Sequence, residues 1–464
     1  MNFYLGFDFG TSGVRAIIID ENSAIVYESN YHFEPDKNSI ADPFVWQNAL
    51  FSLLDKIPLD LRVNIHAIAL DGTSSTVLFC DATGKPLDRA KARAEGDRAI
   101  LYNDDRGIEV IDIIKEIAPP HHTVLSATSS LAKLLWWLKS VQTSELSESI
   151  ASDKSSVDLN KPGFSLTPIY FLHQADWLGF LLHGKLGISD YHNALKLGYD
   201  VENLCYPDWL IQGILPFSAE IDLKLPQVVA PGNAIGPLTE EIRDRFHFSS
   251  DCIVCAGTTD SIAAFLASGA TIPGEAVSSL GSTLAIKLLS HTRVEDSRYG
   301  IYSHRITPPL PTQGEILWLV GGASNTGGAV LRQYFTDAEL EELSKKINPA
   351  QESLLDYYPL VKKGDRFPIN DPNLEPKLEP RPQNNVEFLQ GILESIARIE
   401  AKGYQLLQQL GATALTKVYT AGGGANNPVW MSIRERYLKV KVTRSRYAEA
   451  ALGSALLAQR NVKN

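Results

Sequence analysis

The chain has 464 residues, 44% of them apolar and 21% charged, with a formal net charge of −11. That length predicts two domains of ordinary size, each able to bury its own core. The acidic balance argues against broad binding to nucleic acid or anionic membranes, which needs basic patches, but admits a nucleotide whose charges are met locally.

The first strand is expected at once, from the apolar run Phe3 to Phe7, with no basic leader and no membrane span predicted ahead of it. Asp8-Phe9-Gly10-Thr11-Ser12-Gly13 follows, then the alternating run Val14 to Ile19. This is strand, glycine turn and strand, with small hydroxyls and backbone amides at the tip. Successive amides in such a turn make a nest for phosphate oxygens. Asp8, at its mouth, adds a carboxylate suited to a metal ion carried by the phosphate. The same residues also serve as plain hairpin chemistry. Ile65 to Leu70 and Val77 to Cys80 predict two strands joined by the loop Asp71-Gly72-Thr73-Ser74-Ser75-Thr76. A helix is expected through Trp136 and Trp137, and the Ser-, Lys- and acid-rich stretch from Ser140 to Pro168 predicts an exposed loop.

Of the four cysteines, Cys80, Cys205, Cys252 and Cys255, the last two have metal-like spacing. No second pair or histidine cluster accompanies them, so Cys252 to Ala256 reads as a buried strand, and the cytosol is the expected compartment. Gly257-Thr258-Thr259-Asp260-Ser261 then leads into a small-residue helix from Ile262 to Ser268. Asp260 is either the cap of that helix or a general base at a strand's carboxyl end, where α/β sheets place ligands, and one carboxylate can do both.

The opening pattern recurs halfway along: Ala276 to Leu280, the turn Gly281-Ser282-Thr283, then Leu284 to Ile286. Two such hairpins suggest two similar domains facing one nucleotide, with a chance second hairpin as the alternative. Phe367 to Pro382 predicts an irregular surface connection. Beyond it, Phe388, Leu389, Ile392, Leu393, Ile396 and Ile399 repeat at helical spacing and mark a core face. Val418 to Ala421 predicts a short strand before Gly422-Gly423-Gly424-Ala425-Asn426-Asn427, with Asn427 as helix cap and Pro428 as first helical residue. Three glycines let the backbone approach a flat group such as adenine or ribose. Neither G-x-G-x-x-G nor G-x-x-x-x-G-K-[ST] occurs.

In this order, the four motifs resemble those of the FGGY family of carbohydrate kinases, within the actin-like ATPase superfold, over nearly the whole chain. The resemblance implies an α/β fold of two actin-like (ribonuclease H-like) ATPase domains with a central cleft. Residues 1–268 with 441–464 would form the N-terminal domain, carrying sugar and catalytic base, and 269–440 the C-terminal, ATP-binding domain. It implies ATP contacts at Thr11, Ser12, Gly13, Gly281, Ser282, Thr283, Gly321, Gly322, Gly423, Gly424, Ala425 and Asn426. Asp260 matches the family's catalytic base, with Asp8 and Thr11 as further catalytic residues. Asp8, Ser74 and Asp260 would bind the sugar, and Asp8 would orient Mg2+ directly or through water. The implied partners are ATP, Mg2+ and a small sugar, with no nucleic acid and no membrane. Weaker echoes, at Leu101 to Asp104 and Ser189 to Ala194, lie near the sugar in relatives.

Within the family, Asp71 to Ser74, Ser189 to Gly198 and Ala256 to Gly269 look most like the compact D-ribulose kinases of photosynthetic organisms, sometimes labelled xylulose kinases. The expected reaction is transfer of the ATP γ-phosphoryl group to O5 of D-ribulose. Typical xylulokinases carry Gln-Met-His-Gly where this chain has Asp71 to Thr76, and the Arg-Glu pair of glycerol kinases is missing there. D-xylulose or another polyol is the alternative substrate. A non-catalytic actin-like ATP-binding module is the rival class, and it would need neither a sugar loop nor a base at Asp260.

Overall fold

The computed structural model describes residues 2–34, 40–87, 98–143, 168–306, 316–447 and 449–462. The chain divides into two compact units, Met1–Ala267 with Glu449–Asn464, and Ser268–Ala448.

The first unit is built on a mixed sheet in the order Ala234–Pro237, Ile253–Cys255, Ile65–Gly72, Phe3–Phe9, Gly13–Ile19, Ile25–His32. Phe3–Phe9 and Gly13–Ile19 form the expected antiparallel hairpin, and Phe3–Phe9 runs parallel to Ile65–Gly72. The central strand is covered on both faces, so it is apolar apart from Asp8, with Leu5, Phe7 and Phe9 fully buried. Helix Ala450–Val462 lies so close to it that a Cβ at Gly6 would come within 2.0 Å of the Ala451 carbonyl oxygen, and only glycine admits that helix. Trp46, from helix Pro43–Lys56, and Trp177, from helix Gln174–His183, close the core edge to face at 6.4 Å. Burying each such ring contributes about 1.5–3 kcal/mol.

A smaller sheet in this unit orders Ala99–Ile100, Val77–Cys80, Pro168–His173 and Asp222–Lys224. The helix through the two tryptophans spans Ser130–Thr143 and stacks Trp137 on Phe79 at 4.0 Å. The loop expected from Ser140 to Pro168 is shorter at both ends, since Ser140 to Thr143 continue this helix and Pro168 opens a strand, and residues 144–167 lie outside the described residues. Cys252 and Cys255 are buried, and burial pushes the Cys252 thiol pKa up, as a strand reading requires.

The second unit repeats this plan. Its sheet runs Tyr302–Ile306, Leu317–Ser324, Leu284–Ser290, Glu275–Leu280, Lys417–Ala421, Lys441–Arg444. The hairpin Glu275–Leu280/Leu284–Ser290 is antiparallel, and Glu275–Leu280 is followed by two parallel strands, as Phe3–Phe9 is in the first unit. The recurrence of the hairpin is therefore a duplicated sheet topology. One boundary differs from the expectation. Residues 441–448 go with the second unit, because Lys441–Arg444 pairs with Lys417–Ala421 and buries Val442 as its outermost parallel strand. The first unit also ends one residue early, at Ala267.

Helix Asn385–Gln409 buries the six predicted core residues. It also carries a buried ion pair: Glu400 accepts from Arg434 Nε and Nη2 at 2.6 and 2.7 Å, while Arg434 Nη1 donates to Thr420 Oγ1 at 2.6 Å. Ser278 bonds to Glu400 and to the Tyr404 hydroxyl, so two helices and two strands share one polar knot. The segment after residue 366 is irregular, as expected, but not all surface. Phe367 is buried, with its ring filling the space where Gly322 and Gly403 would carry a Cβ. Among the described residues, no helix is long and apolar enough to cross a membrane.

Candidate active site

Three acidic residues from distant segments meet at one edge of the first unit's sheet. Asp8 stands opposite Asp71 on the neighbouring parallel strand, and Asp71 stands opposite Thr258 on the next. Asp260 follows two residues later and opens helix Asp260–Ala267. All lie at the carboxyl ends of parallel strands, where such sheets gather ligands. Asp71 is fully buried, and its Oδ2 accepts a 2.7 Å hydrogen bond from Ser454. Burial first, then the nearby Asp8 charge, pushes the Asp71 carboxyl pKa well up. Burial also raises Asp8, opposed by its hydrogen bond with Asp71 and by the Arg15 charge, and reinforced by Asp260. The edge is thus crowded with acid that a cation or a hydroxyl donor would relieve.

Asp260 is half-buried, and its Oδ1 accepts from the Ser261 amide at 2.6 Å. Its carboxylate sits in the first helical turn, where the helix dipole favours negative charge. Capping-type bonding and exposure coexist here. The neighbouring hairpin tip is tight: the Gly10 amide donates to the Gly13 carbonyl at 3.1 Å, and Thr11 and Ser12 are exposed. A Cβ on Gly10 would meet nothing closer than 3.6 Å, so packing does not demand glycine there. Gly13 differs, since a Cβ would fall 2.2 Å from the Tyr31 carbonyl oxygen, and strand pairing alone explains it.

The loop after Asp71 is pinned from several sides. The Thr73 amide donates to Gln174 Oε1 at 2.9 Å, and the Tyr102 amide donates to Thr76 Oγ1 at 3.0 Å. Of residues 73–76, only Ser74 keeps partial exposure. The Leu101 to Asp104 segment therefore does border this loop. Ser189 to Ala194 is buried. Asp190, pushed up to about 7 by burial, accepts from the His192 and Asn193 amides, and His192 Nδ1 lies 2.7 Å from Oγ1 of Thr258, two residues before Asp260.

In the second unit, Ser282 and Thr283 are exposed at the hairpin tip. A stretch that sequence reasoning missed wraps this turn. Gly328 and Ala329 amides donate to the Gly281 and Ser282 carbonyls at 2.9 and 3.1 Å, and Leu284 donates to Thr326 at 2.7 Å. The adjacent pair Gly327-Gly328 was the signal. The Gly422 turn abuts the same hairpin, where a Cβ on Gly422 would fall 2.7 Å from the Leu280 carbonyl oxygen. Asn427 caps the following helix through the Trp430 amide at 3.0 Å, with Pro428 in its first turn. Gly423 is exposed with nothing within 4 Å of its would-be Cβ, and neither fold nor backbone angle requires glycine there. Ala425 is buried and Asn426 exposed. Gly321 and Gly322 are placed differently from the expectation. They sit in mid-strand opposite Lys287 and Ile286, while Ser324 is the residue beside the turn. Gly322 has the Phe367 ring 2.6 Å from its would-be Cβ, so packing accounts for it.

The model of the N-terminal domain of the FGGY family of carbohydrate kinases matches residues 3–267, and that of its C-terminal domain matches residues 279–462. The chain belongs to this family. FGGY relatives include the xylulose kinase of Staphylococcus xylosus, 22% identical over 99% of this chain and 90% of the relative, and the gluconokinase of Bacillus subtilis, 20% identical over 98% and 87%. Among solved FGGY-type structures, Plasmodium falciparum glycerol kinase with ADP superposes with a TM-score of 0.78 at 19% identity, covering 100% of this chain and 90% of that one. Xylulose kinase from Rhodospirillum rubrum gives 0.75 at 19% identity, covering 98% and 89%. The fold is the two-domain, mixed α/β FGGY sugar-kinase fold. Among the described residues no group of three or more His, Cys, Asp or Glu could hold a metal ion by itself. Mg2+ itself takes only one or two carboxylates and fills the rest of its shell with waters and phosphate oxygens. Asp8, crowded by Asp71 and Asp260, is the carboxylate suited to it.

Proposed function

We propose that this chain is an ATP-dependent pentulose kinase that phosphorylates D-ribulose at O5, with Asp260 as general base. The observation that carries the proposal is the meeting of Asp8, Asp71 and half-exposed Asp260 at one sheet edge beside the exposed Thr11-Ser12 tip. Asp260 accepts the O5 proton as O5 attacks the γ-phosphorus. The bond from that phosphorus to the bridging oxygen breaks, and ADP leaves with the electron pair. Catalysis in such transfers is mostly positioning and charge stabilisation. Thr11 and Ser12 offer hydroxyls and amides to the transferred group, and Ser74, Asp8 and Asp260 orient the sugar. Mg2+, held by Asp8 directly or through water, would neutralise phosphate charge. In the second unit, Gly281, Ser282 and Thr283 cradle phosphates, while Gly423, Gly424, Ala425 and Asn426 line the adenosine. The buried thiols of Cys80, Cys252 and Cys255 suit a reducing cytosol.

D-ribulose is favoured because Asp71 to Thr76 replaces the Gln-Met-His-Gly loop of typical xylulokinases, as in the compact ribulose kinases. D-xylulose is the second reading, supported by the names of several relatives. The test is a panel of D-ribulose, D-xylulose, gluconate and glycerol with Mg-ATP, compared by kcat/KM. D-ribulose is expected to lead D-xylulose by about tenfold or more, the discrimination one well-placed polar contact supplies. A lead for D-xylulose would favour the second reading, and ADP release indifferent to every sugar would leave only a nucleotide-binding module.

A further inference from the structure

Lys133 is an unexpected charge in the first unit. It lies in helix Ser130–Thr143, flanked by Leu131, Ala132, Leu134 and Leu135, and is 0% exposed. A long cationic side chain is almost never fully buried unless its donors are satisfied. Here Nζ donates to the Ser75 carbonyl and to the Leu101 carbonyl, each at 2.7 Å. One carbonyl belongs to the loop after Asp71 and the other to the segment after strand Ala99–Ile100, so a single amine ties two irregular segments together.

The loop has reason to need that hold. Ser75 takes a positive φ of 66°, a conformation sparsely populated by residues other than glycine, and its hydroxyl is buried without a partner. One local bond closes the turn, from the Thr76 amide to the Thr73 carbonyl at 3.1 Å, and the cation under the Ser75 carbonyl adds a hold from outside the loop. Thr76 adds the second stitch through the Tyr102 amide. Between these anchored residues, Ser74 is the one that remains partly exposed.

We propose that Lys133 is the positioning residue of the sugar loop: gripping the Ser75 and Leu101 carbonyls, it presents Ser74 to the bound ketose without touching the sugar itself. The proposal rests on the reading of that loop as the sugar site.

The surroundings give the grip a pH dependence. Asp104, from the Leu101 segment, favours the ammonium. Burial outweighs it and takes the amine down to about 7, with Lys196 and Arg106, from neighbouring short helices, acting in the same direction as burial. Charged, it makes charge-assisted bonds to both carbonyls; neutral, it makes weaker ones. Its folded pKa lies below its unfolded value, so above about pH 7 the folded chain has released a proton that the unfolded chain still binds. This group's contribution to stability therefore rises with pH between about 7 and 10.5. Loop grip and global stability move in opposite directions, which a purely structural lysine would not produce.

The experiment compares wild type with Lys133→Met, which keeps the stem and removes the donors. KM for sugar, KM for ATP, melting temperature and amide exchange are followed from about pH 6.5 to about pH 8.5, across the amine's titration. Wild type should show a rising sugar KM with a steady ATP KM. The variant should show a sugar KM raised by about tenfold, no further rise with pH, and Thr76 and Tyr102 amides exchanging about tenfold faster, the scale of one charge-assisted hydrogen bond. An unchanged sugar KM, sugar and ATP constants that rise together, or Thr76 and Tyr102 amides as protected as in wild type would overturn the proposal. Should the variant not fold, the wild-type series decides alone, and a sugar KM flat across that range overturns it. A chain that phosphorylates no sugar defeats the kinase reading, and amide exchange then still decides whether Lys133 holds the loop.

Discussion

Ser454 Oγ donates to Asp71 Oδ2 at 2.7 Å, joining the last helix to a strand 383 positions earlier. The bond satisfies one oxygen of a carboxyl that is fully buried beside Asp8. Because its folded pKa lies above the unfolded value near 3.8, Asp71 keeps a proton that the unfolded chain gives up as pH rises. Its contribution to stability is therefore largest in acid and falls as pH climbs past about 4. Asp71→Asn has the same shape, still accepts from Ser454, and carries no charge to desolvate. Thermal melts from pH 4 to pH 8 should show the variant gaining on wild type as pH rises. A variant that loses ground over that range would mean Asp71 is stably ionised in the fold.

The parts of this site that sequence exposes are those written in local chemistry. Gly10-Thr11-Ser12 and Gly281-Ser282-Thr283 stand out because small, turn-forming residues interrupt runs of strand-forming ones. Asp260 stands out because an acid follows a strand and opens a helix. The placement of Asp71 beside Asp8 is not local: it depends on a parallel register between two strands separated by a long connection, and core packing sets that register. Lys133 reads in sequence as an ordinary polar position on a helix, since the carbonyls that satisfy it come from segments far away. The mid-strand packing of Gly321 and Gly322 is equally non-local, since Phe367, which fills the space beside Gly322, lies 45 residues on in a stretch with no regular pattern. Val442 is the single buried residue of its four-residue strand, too short a signal to draw the domain boundary.

The Glu400–Arg434 pair makes a sharper stability prediction than any surface bridge, because both partners are fully buried. Removing one partner strands the other's charge and should cost about 3–5 kcal/mol. Glu400→Met and Arg434→Met should each lower the stability by that scale, while the double variant Glu400→Met with Arg434→Met should recover much of the loss. Equilibrium denaturation of the four proteins measures the coupling. Additive losses would show that the pair, despite its geometry, is not a unit.

Gly423 and Gly424 are neighbours with opposite expectations. A methyl on Gly423 meets open space, whereas on Gly424 it would come within 2.6 Å of the Leu280 Cβ and 2.8 Å of the Trp430 ring. Gly423→Ala should fold normally and gain up to about 0.4–1 kcal/mol through a stiffer unfolded chain. Gly424→Ala should lose stability by about 1–3 kcal/mol, as overpacking does. If Gly423 is glycine because adenosine lies against it, its alanine variant should raise KM for ATP without lowering the melting temperature and with the sugar KM in place. An unchanged ATP KM would remove residue 423 from the nucleotide site.

Asp260→Ala separates chemistry from binding. The side chain is half-buried at the helix start and accepts from the Ser261 amide, so the loss of that bond should cost about 0.5–2 kcal/mol of stability, the scale of a cap. As general base, however, it should account for about two to four orders of magnitude in turnover. Sugar-dependent ADP formation should collapse while ATP binding, followed by calorimetry, stays near wild type, because the residues assigned to the nucleotide's adenosine lie in the other unit. Asp260→Asn should be as inactive as the alanine variant, since the amide keeps the shape but accepts no proton. Substantial turnover in the asparagine variant would move the proton acceptor to another group, with Asp8 the first to examine because it shares the same sheet edge.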